Sequence, residues 1–329
     1  MTTSFKICAV IPAYNRAHLI GEALDSVACQ TRVPDEVIVV DDGSTDDTVQ
    51  VVQRWADRNS FPIKIIQQSN GGAASARNTA IRQTDADLIA PLDSDDVWVP
   101  DHVQILLQAF HNHPNLVVSA GNTKRLDDLP QFKREAYGEE LFKKFEYDCD
   151  DAGLRIIRGS AFKSLLKGAY IQTSSCIFQR AAAVEVGLFD ESLRSYEDQL
   201  FFLRLSRLGT FGLYMAPVTL LRKHDDNTTH RRHIASHIVC AIDALTIALG
   251  DADKMKLSDD EVAAVRGELT RRTGRAMERA SRYGIRPYWT VCRELTRRGL
   301  VASLIRPKPL LRALIHPKGD TDKLQQISN

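Results

Sequence analysis

Short apolar runs alternate with stretches of helical periodicity over the first 112 residues. Apolar positions recur every three or four residues in the longer stretches, which predicts helices, and the short runs predict buried strands. The predicted strands are 6–11, 36–40, 62–67 and 86–91. The predicted helices are 17–30, 48–58, 73–84 and 101–112. This alternation predicts an α/β fold, in which a mostly parallel sheet is covered by helices on both faces.

Beyond residue 115 the pattern is less regular. We expect strands at 116–119, 169–178 and 210–221 and a helix at about 195–208. The polar stretch 127–168 has poor periodicity, and we interpret it as an irregular insertion over the site. The chain from about residue 230 is predicted to be helical. Ser258 and Glu261 predict a capping box that opens a helix running to Arg282.

Length and composition predict a folded chain of about two domains, or of one large α/β domain with an appendage. The chain has 329 residues, of which 43% are hydrophobic and 26% charged. No apolar run is long enough for a membrane-spanning helix, and no secretory signal is expected. The six cysteines are scattered and form no CxxC pair, which favours reduced thiols and a cytoplasmic location.

The net charge of +1 hides an asymmetry along the chain. Residues 1–221 contain 22 basic and 29 acidic side chains, whereas residues 271–318 contain 13 basic and 2 acidic ones. We therefore expect cations to bind in the first part and anions to bind near the end.

The loops after the four predicted strands concentrate acidic residues. Ligands of open α/β sheets bind beyond the carboxyl ends of the strands, so we expect the functional side chains there. Asp93-Ser94-Asp95 follows the fourth strand, and two such carboxylates suit Mg²⁺ or Mn²⁺ bound together with phosphate groups. The alternative is a solvated acidic turn or a helix cap.

Two other loops offer groups for a nucleotide. Asp41 and Asp42 can accept hydrogen bonds from a base or a ribose, and Gly43 permits a tight turn. Asn70-Gly71 lets the backbone approach a ligand, and Arg77 can contact phosphate or base. The alternative is that these residues serve only as helix caps, turns and a solvated helix face.

Three further candidates lie in the second half of the chain. Glu197-Asp198 begins a predicted helix and can supply a general base, or else only a favourable helix-terminal charge. His224 can bind the metal or a phosphate, or lie on the surface. The hydroxyl-rich stretch 172–175 can recognise a sugar, or form a half-buried strand. Trp98 can stack on a sugar or belong to the core.

In their order and spacing, these motifs resemble the family 2 glycosyltransferases of the GT-A group. The resemblance extends over roughly residues 5–224 and rests on five motifs. They are Val10-Ile11-Pro12-Ala13-Tyr14-Asn15-Arg16, Val39-Val40-Asp41-Asp42-Gly43-Ser44-Thr45-Asp46, Asn70-Gly71-Gly72 with Ala76-Arg77-Asn78, Leu92-Asp93-Ser94-Asp95-Asp96 with Pro100, and Glu197-Asp198.

The resemblance implies a GT-A fold and an inverting, metal-assisted transfer of sugar from a nucleotide-diphosphate sugar to a saccharide or lipid-linked acceptor. It implies that Asp198 is the base, supported by Glu197. The metal would be held by Asp95, Asp93 and, at one further position, His224. The implied donor-binding residues are Pro12, Ala13, Tyr14, Asn15, Arg16, Asp41, Asp42, Asn70, Gly71, Arg77, Asp93 and Ser94. The implied catalytic domain is 1–225, with a nucleotide-sugar half to about residue 115 and an acceptor half to 225.

The remainder, 226–329, is predicted to be a basic helical extension that packs on the catalytic domain or contacts the inner face of a membrane. Nucleic acid is not an expected partner, since no recognition motif accompanies the charge. A sugar nucleotidyltransferase and a non-catalytic nucleotide-sugar-binding module remain alternative functions. The first is disfavoured because Pro12-Ala13-Tyr14-Asn15-Arg16 is not the glycine-rich loop it would need.

Overall fold

A computed structural model of the chain describes residues 4–126, 146–150, 153–167, 171–222, 234–282, 284–300 and 309. Within them the chain divides into two compact units, Met1–Lys223 and His224–Asn329. Each unit is described separately below.

The first unit is an α/β layer structure built on one mixed sheet. Its strands are β1 (Ile7–Ala13), β2 (Glu36–Asp41), β3 (Lys64–Gln67), β4 (Leu88–Pro91), β5 (Val97–Trp98), β6 (Leu116–Arg125), β7 (Tyr147–Cys149), β8 (Arg155–Ile157), β9 (Cys176–Gln179) and β10 (Thr210–Leu221). Its helices are α1 (Ile20–Ala28), α2 (Thr48–Asn59), α3 (Gly72–Arg82), α4 (His102–Asn112), α5 (Phe162–Leu165), α6 (Arg180–Glu185) and α7 (Glu197–Leu205).

The order of the strands determines which loops meet. The sheet runs β3-β2-β1-β4-β9-β6-β10-β8-β7, and β5 pairs with β10. Strands β1 to β4 are mutually parallel, so their carboxyl ends share one edge. Strand β9 is antiparallel to both β4 and β6, which brings its amino end to that same edge. Strand β10 is parallel to β6, and its carboxyl end also lies there.

The centre of the sheet is apolar on both faces because helices cover both sides. Every residue of β1 is buried, as are all of β4 and the last five residues of β2. Helices α1, α2 and α4 pack their apolar stripes against this sheet through side chains such as Leu24, Val52 and Leu106. The loops at the carboxyl edge are thereby mounted on rigid elements.

The prediction of the first four strands and four helices is confirmed, with shifts of up to three residues at their ends. Two later predictions are wrong. The strand expected at 169–178 is confined to β9, and residues Thr173–Ser175 form a short 3₁₀ helix instead. The stretch 127–168 was expected to be irregular, but its described part contains β7, β8 and α5, with β8 extending the sheet beside β10. Elements of three or four residues are too short to produce a periodic pattern.

The second unit is helical over its described residues, as expected. It contains α8 (Ile234–Gly250), α9 (Asp259–Ser281) and α10 (Ile285–Arg297). The Ser258 hydroxyl accepts from the Glu261 amide, and the Glu261 carboxylate accepts from the Ser258 amide, so the predicted capping box is present. Arg298 pairs with Asp243 of α8 and with Glu294 of α10. No helix in the described part of the chain combines the length and apolarity needed to cross a bilayer.

Candidate active site

The loops after β1 and β2 are joined by a network of hydrogen bonds. The main-chain amide of Asn15 donates to the Ser44 hydroxyl (2.9 Å), and the side-chain oxygen of Asn15 accepts from the main-chain amide of Thr45 (2.8 Å). The Arg16 amide donates to the Thr48 hydroxyl (2.8 Å). Pro12 and Ala13 are buried at the end of β1, whereas Tyr14 is 45% exposed. The two loops therefore form one surface with Tyr14 standing out of it.

Asp42 connects this surface to helix α3. Its two carboxylate oxygens accept from the main-chain amides of Gly71 (2.9 Å) and Gly72 (2.7 Å), and Oδ1 also accepts from the side-chain Nε2 of Gln68 (2.7 Å). A carboxylate at a helix amino end is favoured by the unpaired amides there. Gly72 has φ of +88°, a left-handed conformation that a side chain would strain. Asp42 and Asn70-Gly71-Gly72 are thus one structural feature.

Asp41 differs from its neighbour because part of its carboxylate is unused. One oxygen accepts from the Ser44 amide at 3.2 Å. The other is buried and has no hydrogen-bond partner among the described residues. A buried acceptor of this kind is costly unless something donates to it, so this oxygen is suited to a ligand N–H or O–H group.

Arg77 is the buried cation at the centre of the site. Its guanidinium donates to Asp93 Oδ1 (2.6 Å) and to Glu197 Oε1 (2.9 Å), and it lies over the Phe189 ring, 5.4 Å from the ring centroid. The Arg77 side chain is only 5% exposed. Burial alone would lower the pKa of Arg77, but the two carboxylates outweigh it and raise the pKa above its usual value. Arg77 therefore joins the loop after β4 to the start of α7.

Asp93, Ser94, Asp95 and Asp96 form a tight turn after β4, in which the Asp96 amide donates to the Asp93 carbonyl (3.0 Å). We call residues 92–96 the acidic loop. The side chains differ in exposure: Asp93 and Asp95 are partly exposed, and Ser94 and Asp96 are buried. The two carboxylates that the sequence predicted as metal ligands are thus the two that solvent can reach.

Asp96 is held inside the loop. Its carboxylate accepts from the Ser174 hydroxyl (2.7 Å) and from the Arg222 amide (3.2 Å). Burial raises the pKa of Asp96 well above its usual range, and the charges of Asp93 and Asp95 raise it further. The acidic loop therefore concentrates three acidic side chains within four residues, two of them accessible to solvent, which is a setting that attracts a cation.

Glu197 and Asp198 open helix α7. The preceding residue, Tyr196, has φ of +65°, so the chain turns sharply into the helix. Glu197 pairs with Arg77, while Asp198 is partly exposed and accepts from the Gln199 amide (2.7 Å). Burial, followed by the charge of Glu197, raises the pKa of Asp198 to about 7. A carboxylate with such a pKa can take up a proton near neutral pH.

The other candidates have clear positions. Trp98 is buried and stacks on His102 (centroids 4.2 Å apart), so it belongs to the core. Thr173, Ser174 and Ser175 are at most 5% exposed, so their hydroxyls are not open to a sugar. His224 lies outside the described residues. Among the described residues, no three His, Cys, Asp or Glu side chains are grouped as a metal cluster.

Sequence reasoning assigned no role to Asp96, and it considered Ser174 only within the stretch 172–175 that can recognise a sugar, although both residues are central to this site. Asp96 was visible as the third acid of its motif, but its burial was not. Ser174 lies 78 residues away and meets Asp96 only because β9 pairs antiparallel to β4. A strand direction of this kind has no local signature in the sequence.

The fold matches that of solved GT-A structures. The structure of S. aureus TarS residues 1–349 in complex with UDP aligns with a TM-score of 0.54 at 19% identity, covering 91% of this chain and 89% of that one. Mannosyltransferase PcManGT from Pyrobaculum calidifontis, in complex with GDP-Man and Mn²⁺, aligns with a TM-score of 0.52 at 20% identity, covering 95% and 86%. At such identities the likeness concerns the fold.

Residues 8–178 match the sequence model of the family described as glycosyl transferase family 2. The chain belongs to this family. An uncharacterized glycosyltransferase of Rickettsia bellii is 28% identical over 228 residues, 68% of this chain and 30% of that protein. Hyaluronan synthase of Pasteurella multocida is 42% identical over 223 residues, 68% and 21%. Chondroitin synthase of Escherichia coli is 29% identical over 201 residues, 61% and 26%. The chain thus spans less than a third of the length of these relatives.

Arg77→Met is expected to destabilise the first unit by about 3 kcal/mol, because it leaves Asp93 and Glu197 partly buried without their cation. The matched control is Arg82→Met on the same helix, where Arg82 is 57% exposed and 3.5 Å from Glu191. A surface pair of that kind contributes about 0–1 kcal/mol. Urea unfolding measures both variants. Equal free energies of unfolding for the two variants would contradict a central role for Arg77.

Proposed function

We propose that the chain transfers a sugar from a nucleotide-diphosphate sugar to an acceptor hydroxyl, with inversion at the anomeric carbon. The observation that carries the proposal is the double contact of Arg77, which links Asp93 of the acidic loop to Glu197, the neighbour of Asp198. The loop suited to hold a cation for the diphosphate and the neighbour of the residue suited to take up a proton are thereby connected through one buried side chain.

The donor nucleotide is proposed to bind over the loops after β1, β2 and β3. The unpartnered oxygen of Asp41 offers an acceptor for a base or ribose, and the exposed ring of Tyr14 offers a stacking face. Asp42 supports this surface by holding the amides of Gly71 and Gly72. Arg77 is engaged with two carboxylates, so its proposed part in donor binding is to hold Asp93 and the start of α7 in place.

The acidic loop fits a hard divalent cation. Mg²⁺ and Mn²⁺ need only one or two protein carboxylates when substrate phosphates supply the other ligands, so two accessible carboxylates without a third suffice. Asp95 and Asp93 would hold the ion, with His224 as a further candidate. When bound, the ion neutralises the charge that develops on the diphosphate leaving group.

Asp198 is proposed as the general base. The proton of the acceptor hydroxyl passes to the Asp198 carboxylate while the acceptor oxygen forms its bond to the anomeric carbon. The bond from that carbon to the diphosphate oxygen breaks, and the nucleoside diphosphate leaves with the electron pair. The raised pKa of Asp198 supports this role because it lies near the pH at which such a base must gain and lose its proton.

The acceptor is proposed to be a saccharide or a lipid-linked saccharide. The relatives named hyaluronan synthase and chondroitin synthase support a growing polysaccharide as its class. Two other functions are outcomes of the same assay. A sugar nucleotidyltransferase would form or consume pyrophosphate, and a non-catalytic module would bind donor without turnover. Mass spectrometry of acceptors incubated with UDP- and GDP-sugars and Mn²⁺, alongside pyrophosphate detection, separates the three.

Helix α10 supports a contact between the second unit and an anionic lipid surface. Arg286, Trp289 and Arg293 are exposed at spacings of three and four, so they share one face of the helix. Trp289 is 57% exposed, and neither arginine has an acidic partner among the described residues. A tryptophan flanked by unpaired arginines is suited to the headgroup region of an anionic bilayer.

Asp198→Asn is expected to lower the transfer rate by about 10² to 10⁴-fold, because asparagine keeps the bond from Gln199 but cannot accept the proton. In the wild type, the rate should rise as pH increases through the pKa of Asp198. That pKa is higher in the folded than in the unfolded chain. The free energy of unfolding of the wild type should therefore decrease as the pH rises from about 4 to about 7.

The same variant should therefore be more stable than the wild type at pH 8, by on the order of 1 kcal/mol, and this advantage should shrink towards pH 4. Steady-state rates and thermal unfolding across this range measure the two effects. Glu185→Gln, an exposed acid on α6, is the control for both. Full transfer by Asp198→Asn would show that another group is the base.

Asp95→Ala is expected to abolish the Mn²⁺-dependent part of the thermal stabilisation by UDP, since a ligand that binds the native state raises its apparent stability. Asp101→Ala, an exposed acid at the start of α4, is the control. Thermal shift with UDP, with and without Mn²⁺, gives the comparison. A Mn²⁺-dependent shift that survives in Asp95→Ala would place the cation elsewhere.

Arg286→Glu/Arg293→Glu is expected to weaken binding to vesicles containing phosphatidylserine by at least about tenfold, because each arginine near such a surface contributes about 1 kcal/mol. Arg266→Glu, an exposed arginine of α9, is the control. Co-sedimentation with anionic and neutral vesicles at two salt concentrations measures binding. Equal binding by the two variants, or binding only to a soluble anionic polysaccharide, would refute the lipid contact.

A further inference from the structure

Ser174 lies in the second half of the first unit, yet its hydroxyl contacts the acidic loop at two points. It donates to the Asp96 carboxylate (2.7 Å) and accepts from the main-chain amide of Asp93 (3.0 Å). Ser174 is 1% exposed, so water does not compete for these bonds. One hydroxyl thus fixes both the first and the last aspartate of the loop.

The main chain at Ser174 is fixed in turn by two donors. Its carbonyl accepts from the Trp98 indole nitrogen (2.9 Å) and from the Thr219 hydroxyl (2.7 Å). Trp98 follows the acidic loop, and Thr219 belongs to β10, so the serine is held from both neighbouring segments. Ser174 therefore has little freedom to move, and its position is determined by the sheet.

The acidic loop needs such support because its carboxylates repel one another. Asp93, Asp95 and Asp96 lie within four residues, and a turn that brings like charges together tends to open. Arg77 holds the side chain of Asp93, and the Arg222 guanidinium donates to the Asp95 carbonyl (3.3 Å). Ser174 contacts both ends of the turn through a single hydroxyl group.

We propose that Ser174 is a positioning residue for the cation site: its hydroxyl holds the turn closed so that Asp93 and Asp95 are presented together to a divalent ion. This inference rests on the proposed function, since it concerns the same acidic loop. It assigns control of the donor-side cation to a residue of the half of the domain expected to bind the acceptor. Ser174 itself does not touch the ion.

The neighbouring serine provides a matched control. Ser175 is also 1% exposed and lies in the same 3₁₀ helix, but its hydroxyl donates only to the Gln172 carbonyl (3.0 Å) among the described residues. Ser174→Ala and Ser175→Ala therefore remove the same atom at the same depth. Only the first of them breaks contacts with the acidic loop.

The test is the affinity for Mn²⁺ in the presence of UDP, measured by electron paramagnetic resonance of the free ion, alongside the thermal midpoint of each variant. Ser174→Ala should weaken Mn²⁺ binding about tenfold, the effect of losing one or two buried hydrogen bonds. Ser175→Ala should bind Mn²⁺ as the wild type does. Ser174→Ala should also lose more thermal stability than Ser175→Ala, because it removes two buried hydrogen bonds and leaves the Asp96 carboxylate with one donor fewer.

Thr219→Val is a second variant of nearly the same shape, and it removes one support of the Ser174 carbonyl. It should weaken Mn²⁺ binding in the same direction but by less, and it keeps the test valid if Ser174→Ala fails to fold. Unchanged Mn²⁺ affinity in Ser174→Ala, or an equal loss in Ser175→Ala, would overturn the inference.

Asp95→Ala separates this inference from the proposed function. If Asp95→Ala loses Mn²⁺ binding while Ser174→Ala retains it, the cation site stands and the positioning role is wrong. If Asp95→Ala also retains Mn²⁺ binding, the proposed cation site itself is wrong, and the role of Ser174 is refuted with it.

Discussion

The candidate site depends on one buried arginine side chain, Arg77, which lies between two carboxylates. Arg77 contacts Asp93 and Glu197, which come from the loop after β4 and from the start of α7, 104 residues apart in sequence. Without that positive charge, the acids around it would repel one another in a region with little water to screen them. Arginine suits this position because its planar guanidinium can donate to two carboxylates at once and lie over an aromatic ring, here that of Phe189.

The surrounding fold explains why these groups meet. Parallel strands bring the loops after β1 to β4 to one edge of the sheet, and the antiparallel strand β9 brings Ser174 to the same edge. Helix α3 is attached to its surroundings at two points. Asp42 accepts a hydrogen bond from the main-chain amide of Gly72, at the start of the helix. The side chain of Asn78, further along the helix, both donates to and accepts from the main chain of Phe189. Arg77 lies between these attachments, so its direction is set by both.

Much of this could be predicted from the sequence, and the limits have a physical origin. The alternation of apolar runs and helical stripes predicted β1 to β4 and α1 to α4, because each is long enough to show its period. The acids at strand ends predicted where the site lies. The partners of those acids could not be predicted, since Arg77, Ser174 and Arg222 reach them through tertiary contacts. Arg77 was expected to contact a nucleotide directly, a contact that stays a prediction, and the structure adds its two carboxylate partners.

The distribution of charge links the stability of the site to its chemistry. Asp42 and Glu197 are satisfied by the protein, whereas the oxygen of Asp41 is unpartnered among the described residues and Asp96 and Asp198 have raised pKa values. These groups cost folding free energy at neutral pH, because each would be more stable with a donor, a proton or a cation beside it. Ligands that supply those partners recover that free energy on binding. Under the proposed function, the nucleoside would supply the donor near β2, a divalent cation would add positive charge beside Asp93 and Asp95, and the acceptor hydroxyl would supply the proton at α7.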